Sequence, residues 1–424
     1  MADHKIKLDP GAAALLDALH GAGYAAYAVG GCVRDSLLGL TPHDWDLCTS
    51  ARPEQVMALF GEEKCIPTGL QHGTVTVKQG GRLYETTTFR TEGAYSDGRH
   101  PDAVCFVPDV REDLARRDFT INAMAYSAEE GLIDPFGGRD DLAAHLVRAV
   151  GEPERRFEED ALRILRLYRF AARFGFAIDP ATGAAARALG PHLDCVSAER
   201  IQEELLKLLA APRPGSYLEP AVLAVVLPEL EPEKQPKQFA ELCRTIDRIE
   251  PTAENVPARL AALLCPLGEA GARKALRKLK CSNALTDEVT VLVKEVGAGC
   301  VGSFSEEEAA GTPGSGMQLT AKRLLGRYEL PTIQRLTALC SARHPEQTGA
   351  FAALRAEAER LTAENACCRV SQLAVNGRDL MAAGVRPGPG LRQVLNALLE
   401  TVITGQTPNE KDALLAAAAQ FSAS

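Results

Sequence analysis

No run of apolar residues in this 424-residue chain is long enough to cross a bilayer. The opening stretch, MADHKIKLDPGAAALLDALHG, starts charged and then reads as an amphipathic helix. It lacks the uninterrupted apolar core and small-residue cleavage site of a signal peptide, so a cytoplasmic protein is expected. No CxxC pair occurs among the twelve cysteines: Cys32, Cys48, Cys65, Cys105, Cys195, Cys243, Cys265, Cys281, Cys300, Cys340, Cys367 and Cys368. Neither a zinc site nor a redox motif is suggested, and in a reducing compartment such cysteines read as small buried apolar residues. General basic excess is also missing. Lys and Arg number 47 against 56 Asp and Glu, a net charge of −9, so any nucleic-acid surface must be local. No fixed-period repeat is visible.

What is present is ordinary globular material, 46% hydrophobic and 24% charged, enough for several cores. The first 135 or so residues alternate strand and helix signals. GYAAYAVGG reads as a strand entering a glycine turn, CVRDSLLGL as a short helix and DWDLCT as a strand. Ser50 is a plausible N-cap for ARPEQVMALFGE. HGTVTVKQGGRLYETTTFR alternates with period two on both sides of Gly80-Gly81, the pattern of a hairpin. From about residue 139 the chain reads as helical and extended patterning disappears. Breaks at GFAIDPATG, APRPGSYLEP, EPEKQPKQ and EEEAAGTPGSGM divide the helical part. The expectation is an α+β head followed by all-α segments.

The stretch AVGGCVRDSLLGLTPHDWDL carries the first chemistry. In a strand, Asp44 and Asp46 share one face while Trp45 points away. Two carboxylates aimed at one point repel unless a cation lies between them, and one or two carboxylates plus substrate phosphates is how Mg²⁺ is usually held. A DxD alone is common and, by itself, reads first as a surface strand with two solvated aspartates. Context adds the Gly30-Gly31 turn with Arg34 just beyond it, suited to a triphosphate. A third acid, Glu85, lies in the second hairpin strand. Three carboxylates beside a phosphate cradle suggest two-metal phosphoryl or nucleotidyl transfer. The turn is neither a P-loop nor a dinucleotide fingerprint.

Four motifs follow in order: GGCVRDSLLGLTPHDWDL, RRDFTINAMAY, DPFGGRDDL and EEDALRILRLYRFAARFGF. Together they resemble the class II tRNA nucleotidyltransferase and bacterial poly(A) polymerase family. The C-terminal segment beginning LAVNGRDLMAAG is similar to its bacterial CCA-adding branch. The resemblance implies a polymerase-β-like nucleotidyltransferase head (1–138), a helical neck (139–209), a helical body (210–305) and a helical tail that binds tRNA (306–424). It implies Asp44 and Asp46 as the metal pair for Mg²⁺, with Glu85 as a third catalytic carboxylate. Gly31 and Arg34 would hold the triphosphate and Arg117 would contact the nucleotide. Asp118 and Asn122 are candidates for the ribose.

In the neck motif, Glu159, Asp160, Arg163, Arg166, Arg169 and Arg173 fall within about half the wheel at roughly 100° per residue. A solvated face with i,i+3 and i,i+4 ion pairs accounts for this pattern too. The functional reading uses donor–acceptor chemistry. Cytosine and adenine both carry an amino donor beside a ring-nitrogen acceptor. A carboxylate accepts from the first and a guanidinium donates to the second. Asp160 and Arg163, one turn apart, can present this pair, and the resemblance gives them that role. Uracil and guanine would meet two mismatches, at about 1–3 kcal/mol for each unpaired buried group. The resemblance also places Arg166 and Arg169 at the nucleotide, and Glu159 orients its neighbours. The loop TEGAYSDGRHPDAVCF, with Asp97 and Arg99, resembles the flexible loop used in switching from C to A. SAERIQEELLKLL reads as structural, with Ser197 as a cap and Glu199, Glu203 and Lys207 as an i,i+4 series.

The function so implied is template-independent addition of C, C and A to the 3′ end of tRNA from CTP and ATP. An adenosine-only enzyme or a poly(A) polymerase is the alternative within the family. A non-catalytic tRNA-binding protein is the more distant one. The acceptor arm is the expected partner, gripped by shape and phosphate contacts. No His-Asp metal cluster of the kind some relatives append is seen, so no phosphohydrolase activity is expected. Oligomeric state is not legible.

Overall fold

The computed structural model describes residues 5–93, 104–299 and 316–421. The chain divides into two compact units, residues 1–236 and 237–424.

The first unit opens with α1 (Pro10–Gly21), capped by the Asp9 carboxylate, which accepts from the Gly11 and Ala12 N–H groups. The sheet elements follow as β1 (Ala26–Val29), α2 (Gly31–Leu37), β2 (Leu47–Thr49), α3 (Pro53–Phe60), β3 (Cys65–Gly69), β4 (Thr74–Gln79) and β5 (Arg82–Thr88). Next come β6 (Arg90–Glu92), β7 (Val104–Phe106), α4 (Val110–Ala115), β8 (Ala125–Ser127) and β9 (Gly131–Ile133). Seven strands form one sheet in the order β3-β4-β5-β2-β1-β8-β9. Only β2 and β5 run parallel; every other neighbouring pair is antiparallel. The β4–β5 hairpin is the one the alternation predicts, turning through Gly80 (φ 56°) and Gly81 (φ 79°). Tyr27 and Val29, two apart on β1, join Cys48, Phe89, Val110, Leu114 and Ala125 in a core cluster.

The chain continues through α5 (Gly138–Ala143), β10 (Leu146–Val147), α6 (Pro153–Glu159), α7 (Leu162–Phe174), β11 (Ala177–Ile178), α8 (Pro180–Ala188), α9 (Ala198–Leu209) and α10 (Pro220–Val226). Strands β10 and β11 pair in parallel, two residues each. They are too short to leave a periodic trace in a region that reads as wholly helical.

The second unit is helical throughout its described residues: α11 (Pro236–Arg248), α12 (Val256–Leu264), α13 (Gly268–Lys278), α14 (Asn283–Gly297), α15 (Gly316–Arg327), α16 (Leu330–Arg343), α17 (Thr348–Ala363), α18 (Gly377–Ala382), α19 (Pro389–Ile403) and α20 (Lys411–Phe421). Leu380, Val394, Leu398 and Leu414 centre its C-terminal core.

Three local expectations change. Strand β2 begins at Leu47, so Asp44 and Asp46 lie in its extended lead-in. The reason is that β1 ends at Val29 and turns away at Gly30, leaving residues 44–46 without a full ladder. Ser50 does not cap α3. Its hydroxyl accepts from the Ala25 N–H, while Arg52 takes the cap position and donates its backbone N–H to the Gln55 side-chain oxygen at 2.8 Å. The neck helix is broken at Asp160, whose backbone is extended (φ −148°, ψ 102°). Its carboxylate accepts from the Leu162 N–H at 3.1 Å and so starts α7 afresh.

Candidate active site

Sheet order brings two of the three carboxylates alongside each other. Parallel pairing sets Leu47 beside Thr86, so the residues one step earlier, Asp46 and Glu85, lie alongside each other. The Val29 N–H donates to the Asp46 carbonyl at 3.0 Å, which fixes the end of β1 at the same place. Asp44, Asp46 and Glu85 are exposed while Trp45 between the aspartates is buried, so the two aspartates face solvent together. Crowding by protein that removes water, then the charges of Glu85 and Asp44, pushes the Asp46 carboxyl above its ordinary range, and Arg117 opposes them. Repulsion of this kind is what a cation relieves. Among the described residues, no three His, Cys, Asp or Glu side chains already form a ready metal group. A pair of carboxylates with the other positions left to phosphate and water still fits a hard divalent ion.

Beyond β1 the chain turns at Gly30, where φ is 75°. A Cβ there would come within 3.0 Å of the Arg117 Nη1 atom. Gly31 opens α2, three residues ahead of Arg34. Arg34 is only 4% exposed. It donates from Nε to Asp35 at 2.8 Å and from Nη1 to the Asn122 side-chain oxygen, and it lies over the Phe170 and Phe174 rings. Arg117 donates to the buried Asp113 at 3.2 Å, and its own buried Nε–H has no hydrogen-bond partner.

The charged face of α7 is not a solvated surface. Each arginine on it meets an acid from elsewhere or from the preceding helix. Arg166 grips Asp118 through two nitrogens, at 2.9 and 2.6 Å. Asp118 also accepts from Asn122 at 3.0 Å and from the Phe119 N–H at 2.8 Å. Burial alone would raise the Asp118 carboxyl; Arg166 and Asn122 outweigh it and hold it down to about 2. Arg169 pairs with the buried Glu204 at 2.6 Å, and Arg173 with Asp35 at 3.1 Å. Arg163 donates to Glu159 at 2.8 Å and to the Arg156 and Arg116 carbonyls. Asp160 accepts from Arg200 at 2.8 Å.

The structure therefore gathers two groups in the first unit. One holds Asp46, Glu85, Arg117 and the Gly30 turn. The other runs from Asp160 and Arg163 through Arg166, Asp118 and Asn122 to Arg34. Asp97 and Arg99 lie outside the described residues. Sequence reasoning missed Asp35, Asp113 and Glu204, the counter-ions of the arginines, and Glu204's neighbour on the same face of α9, Arg200, the partner of Asp160. Arg200 and Glu204 are four residues apart on α9, a helix read as structural; its i,i+4 spacing was the available signal. Ser197 does stand at the N-cap of that helix, which begins at Ala198, but makes no side-chain capping bond.

Three family models match in chain order. They are the poly A polymerase head domain over residues 26–148, the probable RNA and SrmB-binding site of polymerase A over 175–234, and the putative tRNA nucleotidyltransferase domain 2 over 327–418. The CCA-adding enzyme of Lactobacillus helveticus is 37% identical over 402 residues, 94% of each chain. That of Geobacillus stearothermophilus is 36% identical, covering 93% of this chain and 92% of the relative. The crystal structure of the Bacillus stearothermophilus CCA-adding enzyme in complex with CTP matches with a TM-score of 0.79 and 33% identity, over 97% of this chain and 98% of that one. Head, carboxylates and helical continuation define a nucleotidyltransferase with a poly A polymerase type of head. The chain belongs to the CCA-adding enzyme family of tRNA nucleotidyltransferases. No helix among the described residues is long and apolar enough to cross a membrane.

Proposed function

We propose that this protein adds C, C and A to the 3′ end of immature tRNA, taking CTP and ATP and releasing pyrophosphate, in the cytoplasm. The observation that carries this reading is the meeting of Asp46, Glu85 and Arg117 at the end of β1, where the Gly30 turn opens α2. Asp44 and Asp46 would hold Mg²⁺, with Glu85 as the third acid. When bound, the ion neutralises charge on the α-phosphate and favours the attacking 3′-oxygen. Gly31 supplies backbone N–H groups to the triphosphate, and Arg34 and Arg117 supply cations. Asp118 and Asn122, fixed by Arg166, face the ribose.

Base choice falls to Asp160 and Arg163, the acceptor and donor that cytosine and adenine share. Arg166 and Arg169 line the nucleotide, and Glu159 orients Arg163. The four-part division into head, neck, body and tail, with the tail gripping tRNA, belongs to the same reading.

The test is incorporation on a tRNA lacking its CCA end, with all four nucleotides present. Two cytidines then one adenosine, lost when Asp44 is replaced by Ala, are expected. A ladder of A, substantial UTP incorporation or an active Asp44→Ala variant would sink the reading.

A further inference from the structure

Helix α9 carries a charge pattern complementary to the arginine face of α7. Arg200 and Glu204 are four residues apart, hence on one face of α9. Arg200 donates from Nη2 to Asp160 Oδ2 at 2.8 Å, and Glu204 meets Arg169 at 2.6 Å and Arg166 at 3.8 Å. Lys207, one turn on, lies 3.8 Å from Glu203 and 4.0 Å from Glu204. We propose that Arg200 is a specificity-determining positioning residue, holding the Asp160 carboxylate in the orientation that reads the base. This inference rests on the base-reading role of Asp160 given above.

The argument begins with what Asp160 must do. It sits at the break between α6 and α7, where no helical ladder fixes its backbone. A carboxylate there has a free rotation about Cα–Cβ unless its oxygens are held. Both are. Oδ1 accepts the Leu162 N–H at 3.1 Å and Oδ2 accepts from Arg200. Each carboxylate oxygen has two acceptor sites, so one on Oδ2 is left for the amino group of an incoming base.

Arg200 has a second consequence. With a guanidinium donating to it, the group faces the base as an acceptor only. A carbonyl oxygen, which uracil and guanine present in place of the amino group, finds no donor there. The pair is set in from solvent, with Arg200 22% and Asp160 15% exposed at the side chain. That setting makes it stronger than a surface ion pair.

Nothing in this geometry requires Arg200 to touch the nucleotide. It acts through Asp160. Its loss therefore affects correct nucleotides more than incorrect ones, which a purely structural contact would not do.

The experiment compares full-length Arg200→Met and Arg200→Lys with the unmodified chain on a tRNA lacking CCA. The readout is kcat and KM for CTP against UTP, and for ATP against GTP. Arg200→Met is expected to lower kcat/KM for CTP and ATP about ten- to hundredfold, the size of one charge-assisted hydrogen bond. UTP and GTP fall less, so discrimination narrows. Arg200→Lys, which keeps the charge but not the fork, falls between the two. Equal losses for all four nucleotides, or none, overturn the proposal. Should the Met variant fail to fold, the Lys variant decides alone, and discrimination equal to that of the unmodified chain refutes it. Asp160→Asn is measured in parallel. If it leaves discrimination intact, the base-reading role itself fails. If it narrows discrimination while the Arg200 variants do not, only the role of Arg200 fails.

Discussion

Replacing Asp118 by Asn keeps the shape of the side chain and removes one charge from the network that joins α7 to the head. Asp118 is 8% exposed and bound by Arg166, Asn122 and the Phe119 amide. Its carboxyl is held at about 2 against an ordinary 3.8. A tenfold change in proton affinity is about 1.4 kcal/mol, so the ionised form gains about 2 kcal/mol from the fold. Breaking a fully buried pair costs about 3–5 kcal/mol, and Arg166, 32% exposed, retains some water and a distant Glu204. The expected loss at pH 7 is therefore about 2–3 kcal/mol. The sign with pH follows from linkage. A carboxylate held below its unfolded value stabilises fully above about pH 4 and loses that contribution as pH falls through about 2.

The assay is urea unfolding followed by Trp45, the one tryptophan in the chain, which is 6% exposed and lies in the same unit. The difference between the unmodified and Asp118→Asn proteins should be the same at pH 7 and 5 and shrink to about half at pH 3. A difference below about 0.5 kcal/mol at pH 7, or one unchanged at pH 3, refutes the reasoning.

The raised Asp46 carboxyl implies that activity falls on the acid side sooner than an isolated aspartate would dictate. Glu85→Gln removes one cause, so it should move the acid limb of binding for a divalent ion to lower pH, read by calorimetry with Mg²⁺ and CTP; an unmoved limb argues that Glu85 does not face Asp46. Gly30→Ala forces a side chain into a positive-φ turn and against Arg117, which costs about 1–3 kcal/mol. It should raise KM for CTP and ATP alike without changing which bases are accepted, and unaltered KM values would remove Arg117 and the turn from the triphosphate site.

Much of the head was legible because its signals are local. The β4–β5 hairpin follows from alternation and a Gly-Gly turn, and α1 from its Asp-Pro start. The neck was half legible. Its arginine spacing was correct, but the break at Asp160 was not visible, because apolar periodicity continues through it. A side chain that caps the next turn interrupts a helix without changing that period. The arginine face also admitted two readings from sequence, a solvated stripe or a nucleotide site. That the face is not a solvated stripe depended on counter-ions from α2, α6, α9 and the segment after α4, most of them tens of residues away.

By itself the sequence determined which residues are candidates for the site. Asp44 and Asp46 share a side in extended chain because one residue separates them, and Gly30 can take a positive-φ turn because it lacks a side chain. It also determined the order of parts, since the motifs are contiguous. Only the tertiary structure decided who meets whom. Parallel pairing of β2 with β5 sets Glu85 beside Asp46, and α9 packs so that Arg200 reaches Asp160. Such contacts depend on strand order and helix packing, which the whole core fixes through burial. No local pattern encodes them.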